Sequence, residues 1–509
     1  MKKRTYILLA ASLLTAWGVT GCYDDKGNYS YRDVNEMKVT FSVRDNNGNS
    51  LAVESETGTT RFKYGGDTAS VIYTALVEQS MASDESNLEY VWAVTGGGRK
   101  DTVREKSLEL NITSSDVAYS MAFRITDLST NISYYKNFRL QTVQPYINSW
   151  FVLNGNAGER RISAVENPDS TEITFTEDIW KDGGNAPRFL NATDLIYTPT
   201  LRGARIDVET LMVVDPEEED IVSKMSPFRM KVTGGGKNLM PEDFMNSGRK
   251  VVCCMDGNKE TSTIVVVDEL GHGYYYDNPD GRFQQFDSKD IGVYSIERIG
   301  GMNQSGYFVF WDKAKEFRYI NSSNYKIQPI ESETKWDGVD EVLWMGQTNE
   351  SDGNKNAIAT ALVKNNKTNG YTIYNFSSGD AVTYRESPIG ELGVDKDSQF
   401  ATSHYFPDRF FYTIGSRLYV CNTVTGEKNE LYDAGTGTIV QLKFRMDYKS
   451  GIPAYASSCN HLGVAVNTED AGELHDLVLT GAGDLESYKV TKGFGPILDL
   501  CFTYIERVI

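Results

Sequence analysis

Four histidines, His272, His404, His461 and His475, are the natural starting point for metal or acid–base chemistry, and none belongs to an H-E-x-x-H pair. Zinc held from one helix face needs two histidines one turn apart. His475 stands between Glu473 and Asp476 with no partner at that spacing, so neither a metal nor any other cofactor is expected. Nucleophile chemistry fares no better. There is no G-x-S-x-G elbow, and Gly415-Ser416 reads as a hairpin turn. Thr233-Gly234-Gly235-Gly236-Lys237 is glycine-rich, yet Asn238 stands where a phosphate-binding loop carries Ser or Thr, so it reads as a turn. Asp45-Asn46-Asn47-Gly48-Asn49 and Asp277-Asn278-Pro279-Asp280-Gly281 offer oxygens but not the Gly and Glu positions of a calcium loop, and read as Asx turns. A glycosidase needs two carboxylates about 5–9 Å apart. The 70 acidic residues supply carboxylates, but spacing singles out no pair. No catalytic residue is assigned.

The binding candidates are aromatic, because sugar rings and peptides both pack on Trp and Tyr faces. Tyr274-Tyr275-Tyr276 follows Gly271-His272-Gly273. Trp311, Trp336 and Trp344 fall close together in the chain. Trp311 follows Tyr307-Phe308-Val309-Phe310, a context that favours core. Trp336, in Lys335-Trp336-Asp337-Gly338, has a loop context and is the best candidate for an exposed ring.

These residues must be positioned by strands. Helical periodicity is scarce, and short runs of β-branched and aromatic residues are cut by Gly, Asn and Asp. The composition, 40% hydrophobic and 24% charged, is that of a globular protein and excludes intrinsic disorder and multiple membrane spans. The net charge of −19 argues against nucleic acid as a partner.

Residues 30–145 read as one β-sandwich. Trp92 is the bulky core candidate in Leu88 to Val94, and Tyr119-x-x-x-Phe123-x-Ile125-x-Asp127 precedes a closing hairpin. Gln144-Pro145 marks the boundary. In residues 146–509, apolar strand cores recur at Trp150, Leu211, Val265, Phe308, Ile358, Phe411 and Val464. Gly437 to Phe444 and Gly495 to Phe502 align with each other, sharing Gly, Ile, Leu and Phe at the same offsets. This grammar predicts a β-propeller with seven blades, six or eight remaining open and a double β-sandwich being the alternative. The final strand, Ile497 to Ile505, is expected to lie beside the strand at Trp150. The fold class is therefore all-β, an immunoglobulin-like sandwich followed by a propeller.

At the N-terminus, Lys2-Lys3-Arg4 precedes an apolar run from Tyr6 to Trp17, too short to span a bilayer. Val19-Thr20-Gly21-Cys22 comes next and reads as a lipobox, with residues 1–21 as signal peptide, Cys22 as the lipidated residue and 22–29 as a tether. Cleavage removes three positive charges and takes the net charge from −19 to −22. Of the other five cysteines, Cys421, Cys459 and Cys501 stand singly, and Cys253-Cys254 are adjacent. No C-x-x-C pair exists, and buried thiols are the expectation.

Cys22-Tyr-Asp-Asp-Lys-Gly-Asn-Tyr-Ser-Tyr31, followed by Asp33-Val34-Asn35-Glu36, resembles the start of the PKD-like family lipoproteins of Bacteroidota, and Ser149 to Leu153 is similar to their second-domain entrance. The resemblance implies a lipid-anchored outer-membrane protein at the cell surface, with a PKD-like domain and a propeller-like C-terminal region. It also implies an accessory, non-catalytic role beside a SusC-like transporter and a SusD-like lipoprotein that import glycans or peptides. The alternative is a propeller enzyme, a glycoside hydrolase, lyase or peptidase acting on extracellular polymers.

Overall fold

The computed structural model describes residues 34–503 except 65–68, 115–116, 147, 171–172, 180–188, 203–204, 219–220, 227–230, 235–238, 256–263, 278–280, 287–292, 303–306, 322–323, 333–335, 348–355, 368–369, 404, 446–459 and 470. The signal segment, Cys22, His404 and Cys459 lie outside the described residues, as do parts of the Thr233–Lys237 and Asp277–Gly281 segments. The chain divides into two compact units, the first ending at Thr142 and the second taking up Val143 onward. Gln144-Pro145 thus falls at the start of the second.

The first unit is a two-sheet sandwich. One sheet pairs Met37–Asp45, Ala69–Gln79 and Ser107–Ile112. The other orders Thr59–Lys63, Ile132–Val143, Ala118–Asp127, Leu88–Gly96 and Arg99–Val103. Alternation drives it: Leu88, Trp92 and Val94 point inward from one strand, and Tyr119, Met121, Phe123 and Ile125 from its neighbour. Trp92 is fully buried, with its ring 4.5 Å from Phe123 and its Nε1 donating to Glu105 O at 3.1 Å. At the end of the Ala118–Asp127 strand, the Asp127 carboxylate accepts from the Ser129 hydroxyl and amide, Asn35, Asn87 and Thr130. The Ser129 hydroxyl chiefly, with the amide and asparagine donors behind it, holds this carboxyl far below the usual range despite burial.

The second unit contains seven four-stranded antiparallel sheets among the described residues. Six are consecutive meanders that begin at Asp194–Arg202, Val251–Met255, Ile296–Met302, Val339–Gln347, Phe400–Ala401 and Thr438–Phe444. The remaining sheet is composite. Ser149–Asn154, Arg161–Glu166 and Thr174–Thr176 come from its start, and Ile497–Thr503 from the far end of the chain pairs antiparallel with Ser149–Asn154. Each of the seven apolar anchors read from the sequence lies on the second strand of a different sheet.

Those second strands have apolar cores because they are covered on both faces. In Ser149–Asn154, Trp150 and Val152 pack toward the seventh sheet with Ala465 and Leu474, while Phe151 and Leu153 pack toward the second with Leu211 and Val213. In Tyr307–Asp312, Phe308 and Phe310 face the third sheet, and Val309 and Trp311 the fifth. Every pair of consecutive sheets shares such an apolar cluster, and one joins the seventh sheet to the first. Outer strands such as Leu485–Phe494 are largely exposed. The second unit is thus β-propeller-like.

The second strands also share an ending. Asp215, Asp268, Asp312 and Asn365 each follow or close one, and each accepts from the amide two residues on, at 3.1, 3.0, 2.9 and 2.9 Å. This is an Asx turn that starts the hairpin. Asn154 and Asn467 occupy the same place in the first and seventh sheets. Their side chains instead accept from Gly495 N at 3.1 Å and Ile497 N at 2.7 Å, tying the last strand in.

Candidate functional site

Five of the six aromatic candidates are buried between sheets. Tyr274 and Tyr276 belong to the cluster between the second and third sheets, and Tyr275 to that between the third and fourth. Their hydroxyls are engaged internally: Tyr274 donates to Asp268 at 3.1 Å, Tyr275 to Gln284 at 2.9 Å, and Tyr276 accepts from Lys224 at 2.8 Å. Trp311 is 4% exposed. Trp336 is 6% exposed, which corrects the expectation of an exposed ring. Its backbone takes φ 64°, and its ring lies 4.8 Å from Phe317 and 4.6 Å from Tyr384. Loop context had suggested exposure, but the left-handed turn tucks the ring into the core of the fourth and fifth sheets.

Trp344 differs. It lies partly buried on Val339–Gln347, the leading strand of the fifth sheet, and lines a cavity of about 610 Å³. The leading strands approach one another from sheet to sheet. The weakest approach is between Val339–Gln347 and Phe400–Ala401, the latter only two residues long, and residues of both line this cavity. Arg298, Glu341, Trp344, Gln399, Phe400 and Gln441 reach it from the leading edges of the fourth, fifth, sixth and seventh sheets.

A recurring backbone irregularity aims these side chains. Near the start of five leading strands one residue is extra relative to the partner strand: Val252, Glu297, Asp340, Val440 and Leu498. A bulge of this kind re-aims the side chains beyond it. The residues that resume pairing are Cys253, Arg298, Glu341, Gln441 and Asp499, four of them polar. The Gly437 and Gly495 segments aligned in the sequence are two of these strands. The equivalent residues Gln441 and Asp499 touch, with Gln441 Nε2 donating to Asp499 Oδ1 at 2.9 Å. Asp499 also accepts from Leu195 N at 2.9 Å and Leu500 N at 2.8 Å.

The Trp344 ring is fixed from below. A Cβ on Gly346 would sit 2.0 Å from its Cζ2, and one on Gly300 would meet the Gly346 backbone at 3.0 Å. Glycine at both lets the fourth and fifth leading strands close up and the indole lie over the backbone. On its other side the ring meets Phe410 edge-on at 5.6 Å. Arg298 is exposed, and its Nε and Nη1 donate to Leu343 O at 3.4 Å and Glu297 O at 3.1 Å, beside Trp344. Burial raises the Tyr371 hydroxyl in the same wall, so it stays a neutral donor at neutral pH. Burial first, and the Asp499 charge second, raise the Asp194 carboxyl. The arrangement offers an aromatic platform ringed by amide, carboxylate and guanidinium groups, which suits recognition of a polyhydroxylated or peptidic ligand.

A second cleft, about 1070 Å³, runs beside the short helix Glu242–Ser247 and is lined by Glu218, Met240, Met245 and Arg282. Its one aromatic, Phe283, is 2% exposed and offers no ring face.

Among the described residues one group of possible metal ligands converges, Asp169, His461 and Asp476. Arg445, 0% exposed, already supplies the positive charge there. Its Nη1 donates to Asp169 at 2.8 and 3.1 Å and its Nη2 to Asp476. The guanidinium carbon lies 4.5 Å over the Phe502 ring and 5.8 Å over Trp150. This cluster joins the seventh sheet to the first. Of the other histidines, His272 Nδ1 lies 3.0 Å from Asp268. His475 lies between Tyr432 OH at 2.8 Å and Glu473 at 3.0 Å, and burial lowers its pKa.

Residues 22–186 match the model of the PKD-like family. The N-terminal unit is therefore a PKD-like domain. No curated protein matches the sequence. Among solved structures, a quinonprotein alcohol dehydrogenase-like protein from Bacteroides thetaiotaomicron is similar at 8% identity, over 89% of this chain and 97% of that one, with TM-score 0.42. A protein of unknown function from the same organism is similar at 8% identity over 91% and 100%, with TM-score 0.31. YCF48 bound to D1 peptide is similar at 11% identity over 58% and 82%, with TM-score 0.36. None of these likenesses carries an activity to this chain.

Proposed function

We propose that the chain is a non-catalytic binding protein of the cell surface, lipid-anchored to the outer membrane through Cys22. It would work beside a SusC-like transporter and a SusD-like lipoprotein that import a glycan or peptide. In this reading the seven sheets are the blades of a closed β-propeller, with the pairing of Ile497–Thr503 to Ser149–Asn154 as its clasp. The observation that carries the binding role is the cavity around Trp344, where one partly exposed indole is surrounded by Arg298, Glu341, Gln399 and Gln441. The lipobox and the sequence around Cys22 support the location and the partners.

The test is affinity purification of the C-terminally tagged chain, expressed from its own locus, from detergent-solubilised outer membranes. Recovery with a TonB-dependent transporter supports the reading. Recovery alone, or from the soluble fraction with Cys22 unlipidated, overturns it.

One observation favours a second reading, a propeller glycosidase. Asp194, its pKa raised by burial and by Asp499, and Asp499, fixed by three donors, are two carboxylates with contrasting environments, the pattern of an acid and its counterpart. Turnover of a polysaccharide by the purified chain, lost in both Asp194→Asn and Asp499→Asn, would replace the binding reading with this one.

A further inference from the structure

We infer that the ligand of the Trp344 cavity is a carboxylated glycan, one that carries uronic acid residues. The inference rests on the binding reading above and narrows it. It starts from the positive groups of the cavity, Arg298, Lys364 and Lys396, and the negative ones, Glu341 and Asp395. Glu341 and Lys364 are cross-strand partners and offset each other. One oxygen of Asp395 is taken up by its own turn, accepting from Asp397 N at 2.9 Å and Ser398 Oγ at 3.1 Å. Lys396 is an exposed side chain 3.5 Å from Asp397, a pair of little energetic weight.

Arg298 is left over. Among the described residues no carboxylate pairs with it. Two backbone carbonyls, Leu343 O and Glu297 O, take its Nε and Nη1 and so fix the plane of the guanidinium. The free edge carries Nη2 and the second Nη1 hydrogen, a pre-oriented donor pair that fits a carboxylate. The carbonyl that takes its Nε belongs to the residue next to Trp344, and the guanidinium and the indole line the same cavity. A pyranose ring stacked on the indole with its carboxylate on Arg298 uses both. Glu341 and Gln399, in the same lining, then face the ring hydroxyls. A chain with a net charge of −19 repels polyanions at long range, so an unpaired arginine placed here marks local selection for an anionic group. The flat ring platform and the amide and carboxylate groups around it favour a sugar acid over a peptide carboxylate.

The experiment is isothermal titration of the mature two-domain chain. The acidic probes are oligogalacturonate, oligoalginate and hyaluronan oligosaccharides. The neutral probes are xylan, galactan and β-glucan oligosaccharides, with fully methyl-esterified oligogalacturonate as the isosteric control. A uronate is expected to bind tightest and to weaken at least about tenfold when esterified or when salt is raised, since one charge-assisted contact is lost or screened. Arg298→Gln is expected to bring acid and ester to the same weak affinity while the melting temperature stays unchanged, because Arg298 is exposed. Trp344→Ala is expected to abolish both. Tighter binding of a neutral glycan, or equal affinity for acid and ester in the wild type, overturns the carboxylate inference and leaves glycan binding standing. An oligopeptide mixture is the remaining probe, and binding confined to it also overturns the inference. Failure to bind any probe overturns the binding reading itself.

Discussion

Arg445→Met probes the joint between the seventh sheet and the first. The wild-type guanidinium is fully buried and serves two carboxylates of different exposure, Asp169 at 49% and Asp476 at 8%. Removing it leaves the Asp169 carboxylate in reach of water, a loss of about 0–1 kcal/mol. Asp476 is left buried with only the His461 imidazole, 3.6 Å away, facing it, and breaking such a pair from one side costs about 3–5 kcal/mol. Arg445→Met is therefore expected to lower the unfolding free energy of the second unit by about 3–5 kcal/mol, and Asp169→Asn by no more than about 1 kcal/mol. The double variant Arg445→Met/Asp476→Asn removes the stranded charge and should recover most of the loss. Urea titration followed by tryptophan fluorescence gives all four values. The pH dependence adds a sign. Burial pushes the wild-type Asp476 carboxyl up, but His461 and Arg445 outweigh it and hold the carboxyl below its usual range. Its stabilising contribution is thus present above the unfolded value and lost as pH falls through the folded one. Without Arg445 the balance moves toward burial, which raises this carboxyl, with only His461 opposing it, so the penalty fades as acid protonates it. The deficit should shrink between pH 7 and pH 4. A single variant within 1 kcal/mol of wild type, or a double variant no better than the single, would refute the argument.

Three further outcomes are expected. Gly346→Ala should tilt the Trp344 indole, because the new Cβ would lie 2.0 Å from Cζ2, and should weaken binding at least as much as it lowers stability; a crystal structure of the variant with the ring unmoved would contradict this. Asp127→Asn should reduce the acid sensitivity of the PKD-like domain: the wild-type carboxyl is depressed, so its contribution holds above the unfolded value near about pH 4 and disappears as pH falls below it, which a pH series of thermal melts reads directly. Cys421, buried with its thiol pushed up to about 11, should resist thiol reagents in the folded protein and label only on unfolding, as mass spectrometry of the Cys421 peptide would record.

The sheet frame was legible because the second strands are covered on both faces. That makes Ser149–Asn154 and Ile264–Asp268 unbroken apolar runs with a recognisable spacing. A second signal was present and unread: the Asp or Asn that ends these strands at 154, 215, 268, 312, 365 and 467, placed there to start a turn or clasp the last strand. Trp92 was legible from alternation alone. The site was not. Flanking residues mislead here: Trp336 sits between Lys335 and Asp337 yet is core, and Trp344 sits between Leu343 and Met345 yet lines the cavity, and only the turn at Trp336 and the glycine beneath Trp344 separate a core ring from an accessible one. Arg298, Glu341 and Gln441 share no residue type. Their common feature is the extra residue before each in the ladder, and that is fixed by pairing with another strand.

The account stands most directly on Trp344. Calorimetric titration of wild-type and Trp344→Ala chains with the tightest-binding glycan, alongside Trp336→Phe as a buried control, tests it in one series. Loss of binding in Trp344→Ala with the fold retained by circular dichroism, and retained binding in Trp336→Phe, is the expected result. Undiminished affinity in Trp344→Ala would place the ligand elsewhere and contradict the account.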